Sequence, residues 1–166
     1  MESKRTRIIG RVKARFEGIK KAQGFKTDLG LNVFVWRTGT FSEEELEGMP
    51  DGALVIRDID EIKTVEGDQT KVNKLSTEKF MRELHIQCEI VTSGTDAAEK
   101  FRKAVADIET AIRKDVRWKD AEGKPLAIGT RPRIDRSVVE QQSRKVGGDI
   151  YEFFIHYVTG AFNAYE

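Results

Sequence analysis

The chain is poor in the residues from which most catalytic and metal sites are built. It has one cysteine, Cys88, so an internal disulfide is excluded. Cys88 alternates with Leu84, Ile86 and Ile90 and is expected to be a small buried apolar group, with a reactive thiol as the second reading. There are two histidines, His85 and His156, each alone in a predicted strand. A metal site needs three or four ligands, and strand alternation puts Cys88 on the opposite face from His85. There is no Gly-x-Ser-x-Gly elbow, no histidine partner for the cysteine and no phosphate-binding loop. Ser93-Gly94-Thr95-Asp96 does open a helix after a strand, but one glycine and an aspartate argue for capping over anion binding. Carboxylates are plentiful, yet nothing places two of them in a shared dry pocket. No apolar run approaches a membrane span, and no apolar stretch follows the charged N-terminus. A soluble protein made in the cytoplasm is expected. Internal repeats and low-complexity tracts are also lacking.

What is present is charge. Charged residues make up 34% of the 166 residues and apolar residues 39%, which is polar for a domain yet too apolar for wholesale disorder. The net charge is +1, but it is unevenly spread. Residues 1–26 carry Lys4, Arg5, Arg7, Arg11, Lys13, Arg15, Lys20, Lys21 and Lys26 against Glu2 and Glu17. Residues 41–61 carry Glu43, Glu44, Glu45, Glu47, Asp51, Asp58, Asp60 and Glu61 against Arg57. A dipolar subunit can join head to tail through unlike patches, and a rotation that closes makes a ring. Two solvated faces are the plainer alternative.

Periodicity predicts an α+β fold, an antiparallel or mixed sheet with two amphipathic helices packed on one face, over a single domain spanning 1–166. Ile8, Ile9, Val12, Phe16 and Ile19 follow helical spacing, with Gly24 as the predicted stop. Leu31 to Trp36 reads as a strand, residues 37–52 as a loop, and Ala53 to Ile56 as a short buried strand that could run on to Ile62. Phe80 to Val91 is the clearest strand. Asp96 and Glu99 form a capping pair ahead of a second helix carrying Ala97, Phe101, Ala104, Val105, Ile108, Ala111 and Ile112. Leu126 to Ile128 is a short strand candidate, Gly147-Gly148 a hairpin turn, and Ile150 to Val158 a strand apolar on both faces, hence central or covered twice. Two polar excursions, 60–78 and 131–148, interrupt the domain. They lack an apolar stripe and are expected to be mobile or extended in a free subunit.

The candidate functional residues are interfacial. Phe41 and Leu46 stand beside Glu43, Glu44, Glu45 and Glu47, an apolar anchor with a charged rim that suits docking. A solvated loop whose two apolar residues fold back onto the core is the alternative. Arg11 and Arg15 are the cationic candidates for the same oligomer interface. The basic N-terminal helix also admits a small nucleic-acid-binding domain touching phosphates without reading sequence. An enzyme with an unrecognised site ranks last. Trp36 and Trp118 are read as anchors of the core or of an interface edge, and Phe162 and Tyr165 as aromatics that dock on a neighbour or on their own domain.

The order of the parts carries a resemblance. The basic helix leads to Gly24-Phe25-Lys26-Thr27-Asp28-Leu29-Gly30, then to Ala53-Leu54-Val55-Ile56-Arg57-Asp58. Next come Ala106-Asp107-Ile108-Glu109-Thr110-Ala111-Ile112-Arg113-Lys114-Asp115, running into Arg117-Trp118, and last the C-terminal strand. This series resembles the tail terminator proteins of long-tailed bacteriophages, the lambda-type minor tail proteins, and departs from them in its two polar excursions. The resemblance implies a mixed sheet-and-helix domain that forms a hexameric ring on the tail tube. Its implied partners are copies of itself, the tail tube protein and a head-completion or connector protein, with transient contact to passing DNA and none to a membrane. It implies no cofactor and no catalytic residue, and a location in the host cytoplasm during assembly, then at the head-proximal end of the tail. A neighbouring head–tail connector role would look similar.

Overall fold

The first helix, α1 (Lys4–Glu17), begins where Ser3 accepts a hydrogen bond from the Thr6 N–H. It buries Ile8, Val12 and Phe16 at helical spacing. The predicted stop at Gly24 is wrong. The helix ends at Glu17, and Gly24, at φ +85°, closes a separate 3-10 turn over Lys21–Gln23. The reason lies at Gly30, whose N–H bonds the Ile19 carbonyl at 2.9 Å. A Cβ on Gly30 would lie 2.6–2.7 Å from the carbonyl oxygens of Phe16, Glu17 and Ile19, so two stretches of backbone meet there. Ile19 is fully buried by that junction, and its burial imitates one more helical turn.

The computed structural model describes residues 2–65, 79–133 and 146–160, apart from the side chains of 63–65, 79 and 146–148. The remaining elements are β1 (Val33–Val35), α2 (Glu43–Glu47), β2 (Ala53–Val65), β3 (Lys79–Ser93), α3 (Ala97–Lys114), β4 (Gly129–Pro132) and β5 (Val146–Gly160). The sheet order is β1-β2-β3-β5-β4; β1 runs parallel to β2 and every other pair is antiparallel, so this is an α+β fold on a mixed sheet. β3 alternates as predicted: Leu84, Ile86, Cys88 and Ile90 are fully buried toward α1 and α3, and β5 adds Tyr151, Phe153, Ile155 and Tyr157. Phe16, Trp118 and Phe153 meet at the centre with ring centroids 6.2–6.4 Å apart.

Several expected elements shift. The first strand is shorter than Leu31–Trp36, leaving Leu31 at 66% exposure. The loop at 37–52 contains α2, whose Ser42 and Glu45 form a reciprocal capping box. The Asp96–Glu99 capping pair does not form. Asp96 sits at φ −102°, ψ 17°, its side chain makes no cap hydrogen bond, and the two carboxylates pair forward with Lys100 and Lys103. The strand placed at Leu126–Ile128 lies at Gly129–Pro132. Gly147 and Gly148 make no hairpin turn; both lie inside β5, opposite Thr92 and Val91. β5 is indeed interior, between β3 and β4, but its second face has no helix over Ile150, which is 50% exposed.

Two excursions are partly absorbed by strands: Asp60–Val65 extends β2, Arg131–Pro132 lies in β4, and 146–148 begins β5. The rest, 66–78 and 134–145, falls outside the described residues. The flanks leave from opposite ends of the sheet, since Val65 pairs with Phe80 whereas Val146 pairs with Ser93. β3 has 15 residues, about 50 Å at roughly 3.3 Å each. The 18-residue α3 covers only about 27 Å. The three long strands therefore outrun the helical layer.

Candidate interaction surfaces

The acidic segment is a short helix with its own internal commitments. Leu46, 2% exposed, turns inward, so its expected place as an exposed anchor is corrected. It lies outside the main core cluster, as do Ala53, Val55 and Val91 on the sheet face away from α1 and α3. Phe41 is half-buried: its ring lies 5.6 Å from that of Phe34, and the Arg37 guanidinium stands 4.1 Å above it. Arg37 also binds Glu45 at 2.6 Å. The Ser42 N–H and the Arg37 guanidinium hold the Glu45 carboxyl below its usual range. Glu43, Glu44 and Glu47 remain exposed and without an ion pair among the described residues.

Arg15 is not available to that helix. It pairs with Asp115 at 3.1 Å, donates to the Ala111 carbonyl at 3.3 Å and lies 5.7 Å over the Trp118 ring, locking α1 to the end of α3. Burial of Asp115 opposes ionisation most, yet the N–H groups of Lys119 and Arg117 and the Arg15 charge outweigh it, and the carboxyl stays below its usual range. Arg11 is half-buried, with its Nε shielded and unpartnered. Within the subunit, no ion pair among the described residues joins either arginine to Phe41–Glu47.

Much of the charge split closes inside the subunit. Arg5 binds Asp58 at 2.7 Å and Glu61 at 3.1 Å, and Lys21 binds Asp51 at 2.8 Å. Glu61 is a hub, its Oε1 accepting from both Arg82 and the Tyr157 hydroxyl at 2.7 Å. Burial resists its ionisation, but Arg82, Tyr157 and Arg5 keep it a carboxylate below its usual range; burial and the Glu61 carboxylate in turn push the Tyr157 hydroxyl up. Several exposed charges have no ion pair among the described residues, and two groups stand out beside Glu2, Lys26, Arg102, Lys114 and Glu122. Glu43, Glu44, Glu47 and Asp60 belong to α2 and β2, whereas Arg113, Arg117, Lys119 and Lys124 belong to the end of α3 and its link to β4.

On the sheet face away from α1 and α3, His85 lies 3.3 Å from Glu152 and stacks on Phe154 at 4.7 Å, while His156 lies 3.3 Å from Glu83, which Arg131 also binds. The His85 Nε2 is buried without a satisfied hydrogen bond, so its approach to Glu152 is one of charge and distance only. No three of these groups stand where a metal ion would need them among the described residues. Cys88 is fully buried, and burial pushes its thiol pKa up.

Two of the segments that carry the resemblance, the Gly24–Gly30 loop and α3, meet in space. Asp107, 4% exposed, accepts from the Lys26 N–H at 3.1 Å, the Thr27 N–H at 2.8 Å and the Thr27 hydroxyl at 2.7 Å. Asp51 accepts from the Asp28 N–H at 2.8 Å, fixing the other end of the same loop. Sequence reasoning passed over Asp107. Its signal was an acid on the buried stripe, three residues after Ala104 and four before Ala111. Trp118 is the core anchor expected, whereas Trp36 is 51% exposed, its ring N–H on Asp58. Phe162 and Tyr165 lie outside the described residues. No helix among the described residues is long and apolar enough to cross a membrane. No protein-family model matches the chain, and no curated protein matches its sequence.

Proposed function

We propose that this protein is a structural assembly protein of the tail terminator kind: it caps a phage tail tube as a ring of copies, a hexamer by resemblance, ends tube growth and offers a surface for head joining. The observation that carries the reading is the charge left over once internal pairs are formed. Four unpaired acids, Glu43, Glu44, Glu47 and Asp60, belong to α2 and β2, and four unpaired bases, Arg113, Arg117, Lys119 and Lys124, outnumber Glu122 at the end of α3 and its link to β4. Such a subunit has unlike ends, which favours heterologous contacts between copies. The loop–helix clamp at Asp107 is consistent with this reading, since it joins two of the segments on which the resemblance rests. No step in this role needs a cofactor.

The internal pairs weigh against the nucleic-acid reading. Arg5, Arg7, Lys13, Arg15 and Lys21 are each committed to a carboxylate of the same chain. Phosphate contact by these five would have to displace those pairs, leaving Lys26 as an exposed base without an ion pair.

Light scattering over rising protein and falling salt concentration tests the proposal, repeated with tail tubes produced without their terminator. Assembly that weakens with salt, or saturable binding at one end of the tubes, is expected. A protein that stays monomeric throughout and ignores the tubes refutes the reading.

A further inference from the structure

The two sides of the sheet differ in shape as well as charge. At the β4 side a groove of about 360 Å³ opens between the end of α3 and the edge of the sheet. Ile112, Pro132, Tyr151 and Phe153 give it an apolar lining, Val116 stands at its mouth 39% exposed, and Glu109 and Arg113 flank it. Arg117 follows one residue beyond Val116, exposed and without an ion pair. On the opposite side, β1 pairs only with Leu54–Ile56, and no strand among the described residues pairs with Asp58–Val65 there. That edge exposes Trp36 (51%), Ile59 (45%) and Ile62 (51%), with Asp60 exposed beside them and without an ion pair.

We propose that the α3–β4 groove receives the Trp36–Ile62 edge of a second copy of this chain. The inference rests on the ring reading and names its contact. An apolar ridge flanked by Asp60 fits an apolar groove lined by Arg113 as well as Glu109, with Arg117 following Val116 in the chain. Extension of the sheet from copy to copy is obstructed. The Arg133 N–H bonds the Glu152 carbonyl, so Pro132, one position away, faces the free side of β4 and has no N–H to donate. Beyond β4, the Val158 carbonyl is capped by the Lys4 ammonium at 2.8 Å. Side chains must therefore make the joint. A symmetric pairing of two β2 edges would bring the unpaired Asp60 of one copy toward that of the other, a like-charge contact. Edge into groove is a heterologous contact that closes into a ring or continues as a filament.

Cross-linking with a short bis-maleimide tests the contact, using full-length Ile62→Cys and Val116→Cys variants mixed in equal amounts. Both positions are exposed, so circular dichroism should match the parent, and the fully buried Cys88 offers no competing thiol. A cross-linked dimer in the mixture, and none in either variant alone, is the expected result. Dimers from Ile62→Cys alone or from Val116→Cys alone would mean a two-fold contact and overturn the proposal. Assembly seen by light scattering without a cross-link in the mixture overturns this contact and leaves the ring reading standing. A strict monomer that also ignores tail tubes removes both.

Discussion

Replacing Asp107 with alanine isolates the clamp between the Gly24–Gly30 loop and α3. The carboxylate is 4% exposed and serves three donors. Lys26 is exposed, so water can satisfy its N–H once the acid is gone. Thr27 is 1% exposed, and its N–H and hydroxyl would be left dry. Hydrogen bonds to a charged group contribute about 1.5–3 kcal/mol each, and removing an acceptor exacts the desolvation cost of the donors left behind. Relief from burying a carboxylate offsets part of this, so the expected net loss is about 2–4 kcal/mol. A chain of this size moves its midpoint by roughly 2–4 °C per kcal/mol, which places the expected drop at about 4–16 °C. Urea unfolding at fixed pH measures it, with Asp107→Asn as the comparison. That amide keeps one acceptor oxygen and should fall between parent and alanine. A loss below about 1 kcal/mol with an unchanged denaturant slope would refute the clamp as a major element of the fold.

Gly30→Ala should unfold the protein or cost upward of about 3 kcal/mol, because the new methyl meets three backbone carbonyls rather than yielding side chains; a soluble variant with parental melting contradicts the junction. The carboxyls of Asp51, Glu61 and Asp115 are held below their usual range. Depressed acids stabilise above their unfolded pKa, and the benefit disappears as pH falls through the folded values. The melting temperature should therefore hold level near neutrality and fall below about pH 4, and Glu61→Gln should flatten that fall. Reversing Glu43, Glu44 and Glu47 to lysine should leave stability within about 0.5 kcal/mol while weakening assembly. Glu45 is left in place because it binds Arg37. Parental assembly and tail completion by that variant would return the acidic helix to ordinary solvated surface.

Most of the architecture was legible because one periodicity dominates each long element. β3 alternates without interruption from Leu84 to Ile90, and α3 carries its stripe from Ala104 to Ile112. Errors fell where tertiary contact overrides local pattern. Ile19 is buried by the Gly30 junction rather than by a helical turn, so periodicity overran the true end of α1. Gly147 and Gly148 signal a turn locally, yet β3 runs on to Ser93 and pairs with them. The acidic segment was read as charge alone, although Ser42 and Glu45 spell the S-x-x-E capping box that starts α2. Ion pairing was the largest gap. Arg5 and Asp58 are 53 residues apart, and nothing in either local sequence says that they meet.

That gap changes what the charge asymmetry means. Read along the chain, the basic head and acidic middle suggest two patches waiting for neighbours. In the fold, Arg5 and its acids neutralise one another across partly buried contacts, and Lys21 pairs with Asp51 at the surface. What remains for a neighbour includes Glu43, Glu44, Glu47 and Asp60 against Arg113, Arg117, Lys119 and Lys124, all of them exposed. Exposed charges are screened over roughly 8 Å at physiological ionic strength, and partly buried pairs much less. Fold and assembly should therefore separate under salt. Added salt should loosen contacts between copies while the subunit's melting temperature scarcely moves. If the apolar ridge of Trp36, Ile59 and Ile62 carries most of the affinity, salt should act mainly on the rate at which copies find one another. Association rate would then fall steeply with ionic strength while dissociation changes little, the pattern of charges that steer and an apolar centre that holds.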